Sequence, residues 1–355
     1  MSVFLIAAGG TGGHVLPGLA VAEELRRRGH GAVFAGARRG LESRLAPQAG
    51  FELELLRASP LERAGWRQQL RTALHLPAGL LDAGGILERR RPRAVLSLGG
   101  YAAGPVLLMS WIDDIPVVAM EPNAWPGLAH RLAGPLVRRA LLGFPQAARW
   151  FPAGRAEVTG VPIRERFFAL EPKAHRPPYT VLITGGSQGS HRLNSAAIES
   201  LPRWAAAGRL DSVIFLHQTG QNEYNEICFG YQRAGARAEV TPFLDDMPGA
   251  FARADLVVCR AGASAVAELA AAGRAAILVP FPFAADQHQL RNAEAMAAAG
   301  GARVVADREL TGERLFEDLR ALLDDPARLA AMEQAARRQA RPGAARRAAE
   351  VLEAL

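Results

Sequence analysis

The chain has 355 residues, 49% hydrophobic and 22% charged, so it can bury ordinary cores, suggests two domains and is too apolar to be disordered. Its two cysteines, Cys228 and Cys259, exclude a disulfide framework and a four-ligand zinc site. The formal charge of +7, almost all arginine with Lys173 the single lysine, favours anionic partners such as phospholipid or phosphorylated substrates; no nucleic-acid-binding motif accompanies it, so nucleic acid is not expected.

Short β-branched apolar runs alternate with amphipathic helical stretches, the pattern of parallel sheets wrapped in helices. The first half predicts strands at 3–8, 32–35, 53–56, 94–98, 117–120 and 140–143. The second half predicts them at 180–184, 212–217, 238–241, 256–259, 276–280 and 303–305. Helices are predicted at 17–28 and 263–272, each followed by a glycine, Gly29 and Gly273, that suits a C-terminal cap. Prolines 162, 172, 177 and 178 mark the join between the halves, giving domains 1–161 and 162–340. A last amphipathic helix follows the break at Pro342-Gly343, and pattern alone leaves its partner domain open. The N-terminus lacks the basic and apolar segments of a secretory leader. No stretch approaches the roughly 20 apolar residues of a membrane span. The expectation is a cytosolic protein that at most lies on a membrane.

Three strands run straight into glycine-rich turns: Gly9-Gly10-Thr11-Gly12-Gly13-His14, Gly99-Gly100-Tyr101-Ala102-Ala103-Gly104 and Gly185-Gly186-Ser187-Gln188-Gly189-Ser190. Such turns let backbone N–H groups approach a phosphate at the positive end of a helix, although glycines also serve ordinary tight turns. A dinucleotide dehydrogenase fits poorly. Read from Gly10, the G-x-G-x-x-G pattern ends on Val15, and Arg38-Arg39 stands where an acidic ribose ligand would be; only NADP would suit those arginines. No G-K-[ST] occurs, which excludes a P-loop.

Two further clusters carry chemistry. Ser264 opens a helix, and Glu268 lies at i+4 on the same face, where a carboxylate can accept both hydroxyls of a ribose. A surface glutamate answering the helix dipole reads equally well. Farther on, Asp286, Gln287, His288 and Gln289 arrive in a row at a helix start, either as a sugar clamp or with Asp286 as an ordinary N-cap.

Together these residues resemble the peptidoglycan N-acetylglucosaminyltransferases that convert lipid I to lipid II. The matching stretches are GGTGGHVLPG at 9–18, GGYAAGP at 99–105, EPNAWPGL at 121–128, GVPIR at 160–164, GGSQGSHRLN at 185–194, FLDDM at 243–247, RAGASAVAE at 260–268 and DQHQLRN at 286–292. They follow the family's order over nearly the whole chain. The resemblance implies an α/β GT-B fold, two Rossmann-like domains with parallel sheets facing across an interdomain cleft, and a last helix, about 341–355, that returns to the N-terminal domain. It implies UDP-N-acetylglucosamine as donor and lipid I as acceptor. Leu244 would meet the uracil and Ser187 the diphosphate. Ala263, Ser264, Ala265, Val266 and Ala267 would line the diphosphate and sugar, with Glu268 on the ribose and Gln289 on the sugar. Thr11, Gly12, Gly13, Asn123 and Arg164 would reach the substrate from the other domain. Many members have His-Glu-Gln-Asn where this chain has Met120-Glu121-Pro122-Asn123, and some have glutamine at His288. A UDP-sugar epimerase, or a transferase for another acceptor, is the alternative.

Inversion at the sugar needs a base beside the acceptor hydroxyl. His14 suits this with its ordinary pKa of about 6.5, and Glu121 would suit it if burial raised its pKa. No D-x-D triplet occurs, so a metal bound as in the GT-A class is not expected; no cofactor is expected either. A lipid-linked acceptor calls for membrane contact on the cytoplasmic face. The expected surface is the segment 63–91, where Trp66, Leu70 and Leu74 recur at i+4 beside Arg63, Arg67 and Arg71. Leu76, Leu80, Leu81, Ile86 and Leu87 follow, then Arg89, Arg90 and Arg91. Apolar residues rimmed by arginine suit an anionic interface, although the same stripe could simply pack on the sheet.

Overall fold

Most strands of this chain are apolar on both faces, so each needs cover on both sides. The computed structural model describes residues 1–9, 12–38, 40–57 and 66–355, with side chains throughout except at 12 and 66–76. Two compact units result: Met1–Arg164 with Arg341–Leu355, and Glu165–Ala340.

The first unit contains β1 (Val3–Ala8), α1 (Gly12–Arg27), β2 (Gly31–Ala37), α2 (Glu42–Gln48), β3 (Glu52–Leu56), α3 (Trp66–Arg90), β4 (Ala94–Gly99), α4 (Ala103–Ile112), β5 (Val117–Glu121), α5 (Leu128–Ala133), β6 (Arg139–Leu142) and β7 (Ala156–Val158). Its seven parallel strands run β3-β2-β1-β4-β5-β6-β7, with Leu5 in register between Val33 and Val95. Alternate residues of β1 feed two cores. Leu5 and Ala7 join Ile86 and Val106 from α3 and α4, while Phe4 and Ile6 join Val21 and Leu25 from α1. Each fully buried Phe, Leu or Ile contributes about 1.5–3 kcal/mol.

The second unit contains β8 (Tyr179–Thr184), α6 (His191–Ala206), β9 (Val213–Gln218), α7 (Tyr224–Ala234), β10 (Ala238–Thr241), α8 (Met247–Arg253), β11 (Leu256–Cys259), α9 (Ala263–Ala272), β12 (Ala276–Leu278), α10 (His288–Ala298), β13 (Ala302–Val304), α11 (Gly312–Leu323) and α12 (Pro326–Arg338). Its strands are all parallel in the order β10-β9-β8-β11-β12-β13, the doubly wound 3-2-1-4-5-6 arrangement. The final helix, α13 (Ala344–Glu353), belongs to the first unit. Ala348, Ala349 and Leu352 complete the core beside α1, and Glu353 binds Arg28 at 2.9 Å and His30 at 2.9 Å.

Three elements differ from the sequence expectation. Helix α1 begins at Gly12 rather than at Pro17, because Val15, Gly18, Ala22 and Leu25 form one inward stripe. At Gly18 a Cβ would lie 2.9 Å from Leu98 Cδ1, so the helix sits close on the sheet from its second turn. Strand β7 has three residues, too few for a periodic signal. Asp286 is not the N-cap of α10: Gln287 holds that position, and both residues have positive φ, 50° and 54°.

Candidate active site

In a doubly wound sheet, ligands bind outside the carboxyl ends of the strands, where the strand order reverses. The reversal falls between β1 and β4 in the first unit and between β8 and β11 in the second. Each glycine-rich turn follows one of these strands. In the first unit, a Cβ on Gly100 would strike the Gly9 carbonyl, so the turns after β1 and β4 touch through backbone that only glycine permits. Gly189, at φ +76°, likewise lies against the Thr219 carbonyl in the second.

The second unit holds its glycine turn from beneath. Ser187 is exposed at the tip, while Ser190 Oγ caps α6 by accepting Leu193 N–H. Asn194 Nδ2 donates to the Thr219 carbonyl at 3.0 Å and to Glu223 at 2.8 Å. Its Oδ1 meets His217 Nε2 at 3.0 Å, and His217 Nδ1 meets the Tyr231 hydroxyl at 3.0 Å. Burial pushes the His217 pKa down to about 3 and the Tyr231 pKa up, so both stay neutral. The proton is therefore assigned to His217 Nε2, which donates to Asn194, and Nδ1 accepts from Tyr231.

Helix α9 opens at the end of β11 with Gly262 as its N-cap. Ala263, Ser264 and Ala265 occupy its first three positions, where amides have no carbonyl a turn earlier within the helix. Val266 N–H is already paired with the Gly262 carbonyl, and the Val266 side chain faces the core, as does Ala263. Ala267 and Glu268 are half-buried in the second turn. Ser264 Oγ is buried with no hydrogen-bond partner among the described residues, a hydroxyl that calls for a ligand or water. Burial, together with the charge of Glu268, pushes the Cys259 thiol up to about 12, which places that carboxylate near the end of β11. Gln289 Oε1 accepts Phe281 N–H at 2.9 Å and thus holds the turn after β12. Leu244 lines a cavity of about 600 Å³ with Leu216, Val240, Thr241 and Gly249.

Arg260, which opens the RAGASAVAE stretch and carries no signal of its role in the sequence, is the organiser of this edge. It binds Asp307 at 2.6 Å, Ser190 Oγ at 2.7 Å and the Val279 carbonyl at 3.2 Å. The turns after β8, β11, β12 and β13 are thereby joined.

In the first unit, His14 is half-buried in the first turn of α1, beside Gly13, while Thr11 lies outside the described residues. Glu121 is 2% exposed at the end of β5. It accepts from Asn123 N at 2.9 Å, Asn123 Nδ2 at 3.1 Å, Gly127 N at 3.2 Å and His130 Nδ1 at 2.8 Å. Burial pushes its carboxyl up, but His130's hydrogen bond and charge, the Asn123 amide and the charge of His14 outweigh it. The pKa lies below the ordinary value, so the condition under which Glu121 would serve as base, a raised pKa, is not met. Asn123 is buried against it, Met120 faces the core, and Arg164 is exposed at the end of the segment. Among the described residues, no cluster of three His, Cys, Asp or Glu side chains is arranged to hold a metal ion.

Two Rossmann-like units in one chain, each with glycine turns at its switch point, define the GT-B class of glycosyltransferase fold. Residues 4–142 match the glycosyltransferase family 28 N-terminal domain and residues 180–348 its C-terminal domain. The chain belongs to glycosyltransferase family 28. It is 50% identical over 350 residues to the UDP-N-acetylglucosamine–N-acetylmuramyl-(pentapeptide) pyrophosphoryl-undecaprenol N-acetylglucosamine transferase of Solibacter usitatus, covering 99% of this chain and 95% of that protein. It is 42% identical to the protein of the same name from Myxococcus xanthus, over 99% of this chain and 92% of the other. The crystal structure of Acinetobacter baumannii MurG superposes with a TM-score of 0.81 at 30% identity, covering 99% of both chains.

Proposed function

We propose that this chain is an inverting hexosyltransferase that moves N-acetylglucosamine from UDP-N-acetylglucosamine to the C4 hydroxyl of the N-acetylmuramyl-pentapeptide of lipid I, giving lipid II. The observation that carries this reading is 50% identity to a transferase of that name across 99% of the chain. The donor belongs to the second unit: uracil beside Leu244, diphosphate at the amides of Ala263, Ser264 and Ala265 with Ser187, ribose on Glu268, sugar near Gln289. Thr11, Gly12, Gly13, Asn123 and Arg164 are the first unit's substrate contacts.

His14 is the base of this mechanism. Its imidazole takes the proton of the acceptor hydroxyl as that oxygen bonds to C1 from the face opposite UDP. The bond from C1 to the diphosphate oxygen breaks with its electron pair on UDP. The α9 N-terminus stabilises the charge that develops there. The Glu121 carboxylate favours the imidazolium by its charge.

The acceptor is lipid-linked, so the reaction belongs at the cytoplasmic face of the bacterial inner membrane, where the first unit meets an anionic surface through residues 63–91. None of the described helices is long and apolar enough to cross a membrane. Within that segment Leu81 is 75% exposed, and the adjacent α4 exposes Trp111 and Ile112. Ile86 and Leu87 instead pack into the core, and Arg89 and Arg90 pair with Glu54. Arg63 lies outside the described residues, as do the side chains of Trp66, Leu70 and Leu74.

The test is UDP release with a lipid I analogue, with and without EDTA. Release that needs the analogue and survives EDTA supports the reading. Turnover of UDP-N-acetylglucosamine without an acceptor, or activity only with another acceptor, overturns it.

A further inference from the structure

A buried polar chain crosses the carboxyl edge of the first sheet. Ser97 on β4 and His130 on α5 are fully buried, as Glu121 nearly is. His130 Nδ1 is 2.8 Å from Glu121 Oε2, and its Nε2 is 3.0 Å from Ser97 Oγ. Glu121 has a lowered pKa, and an ionised carboxylate only accepts, so the proton between them is assigned to His130 Nδ1. Ser97 Oγ, 3.0 Å from Nε2, in turn accepts Gly99 N–H at 3.4 Å. Ser97, His130 and Glu121 are thus linked in one hydrogen-bonded row.

The ring also supports backbone. A Cβ on Gly99 would lie 3.3 Å from His130 Cε1, and the next residue, Gly100, bears on the Gly9 carbonyl. Gly9 directly follows β1, the strand that leads into α1 and His14. His130 thus meets the ends of β4 and β5, and Gly100, the next residue after β4, bears on the loop after β1.

We propose that His130 is a positioning residue of the glycosyl transfer. Its Nδ1–H keeps Glu121 ionised and aimed, and its ring sets the turn after β4. The negative charge that acts on His14 then stays in place while His14 takes the acceptor proton. This rests on the assignment of His14 as base.

The test compares wild type, His130→Leu, His130→Asn and His14→Ala for kcat, the donor and acceptor KM, and melting temperature. His130→Leu removes the donor to Glu121, and kcat is expected to fall about 10- to 100-fold with donor KM within about twofold. His130→Asn, whose Nδ2 can donate to Glu121, is expected to recover at least about tenfold over leucine. A leucine variant with wild-type kcat, or an asparagine variant no better than leucine, overturns the proposal. If the leucine variant does not fold, His130→Met takes its place. If neither folds while the asparagine variant does, the role is purely structural and the proposal falls. Wild-type kcat in His14→Ala overturns the base assignment and the proposal with it. A null effect at His130 alone, with His14→Ala impaired, overturns only the proposal.

Discussion

Arg260 Nη2 donates to Ser190 Oγ at 2.7 Å, while its Nη1 binds Asp307 at 2.6 Å, so one guanidinium ties the glycine turn after β8 to the segment after β13. A lysine ammonium has no planar fork to reach both partners. Arg260→Lys is expected to raise the donor KM about tenfold, a change of about 1.4 kcal/mol, with a smaller effect on kcat. An unchanged donor KM would remove Arg260 from its organising role.

Glu268 sits in the second turn of α9, one turn beyond the Ser264 hydroxyl, which is buried without a partner among the described residues. Glu268→Ala is expected to raise the donor KM at least about tenfold, since hydrogen bonds to a charged group contribute roughly 1.5–3 kcal/mol each. Thermal stability should stay near wild type. Donor titration by calorimetry alongside a melting curve separates the two effects, and an unchanged affinity rules out ribose binding.

His14→Ala is expected to lower kcat by roughly 10²–10⁴ while donor affinity survives. If affinity falls instead, His14 holds phosphate rather than moving a proton. Glu121→Gln behaves differently. Its amide would turn an N–H₂ group toward either Asn123 or the Gly127 and His130 donors, so both stability and kcat should drop. A fully stable Glu121→Gln protein with wild-type kcat would count against the network.

His175 lies between Asp255 at 2.9 Å and Glu333 at 3.1 Å in the second unit. The hydrogen bond to Asp255, then that to Glu333, outweighs burial and pushes its pKa up to about 9. A raised folded-state pKa stabilises fully below the ordinary value of about 6.5, and that stabilisation is lost as pH climbs through 9. Urea unfolding at pH 6, 7.5 and 9.5 should show a decline of at most about 3 kcal/mol from this group. His175→Gln should flatten that part of the curve. An equal slope in the variant assigns the decline elsewhere.

Membrane docking is expected to appear as sedimentation with anionic vesicles that weakens with salt. Because Arg89 and Arg90 already pair with Glu54, reversing their charge would also disturb α3 and β3. Leu81→Glu and Trp111→Glu alter exposed side chains and should reduce pelleting while leaving the melting temperature within about 2 °C. Failure of the wild-type protein to pellet at low salt would sink the docking surface.

The features that local chemistry controls were readable from the residues. Apolar β-branched runs marked the strands because a parallel strand must be buried on both faces, and glycines marked the turns because only they accept such close backbone contact. The i+4 spacing of Ser264 and Glu268 was equally local. Pairings across the sheet were not. Ser97 meets His130 33 residues away, Asn194 meets His217 at a separation of 23, and Arg260 reaches Asp307 at 47. No periodicity signals such contacts, since they depend on which strands become neighbours. The lowered pKa of Glu121 follows from the same cause: burial alone argued for a raised value, and only the fold brings His130 to its carboxylate. Helix α13 shows the division most simply. Its amphipathic pattern required a buried face, but the gap beside α1 that receives Leu352 exists only once the first sheet and its helices have assembled.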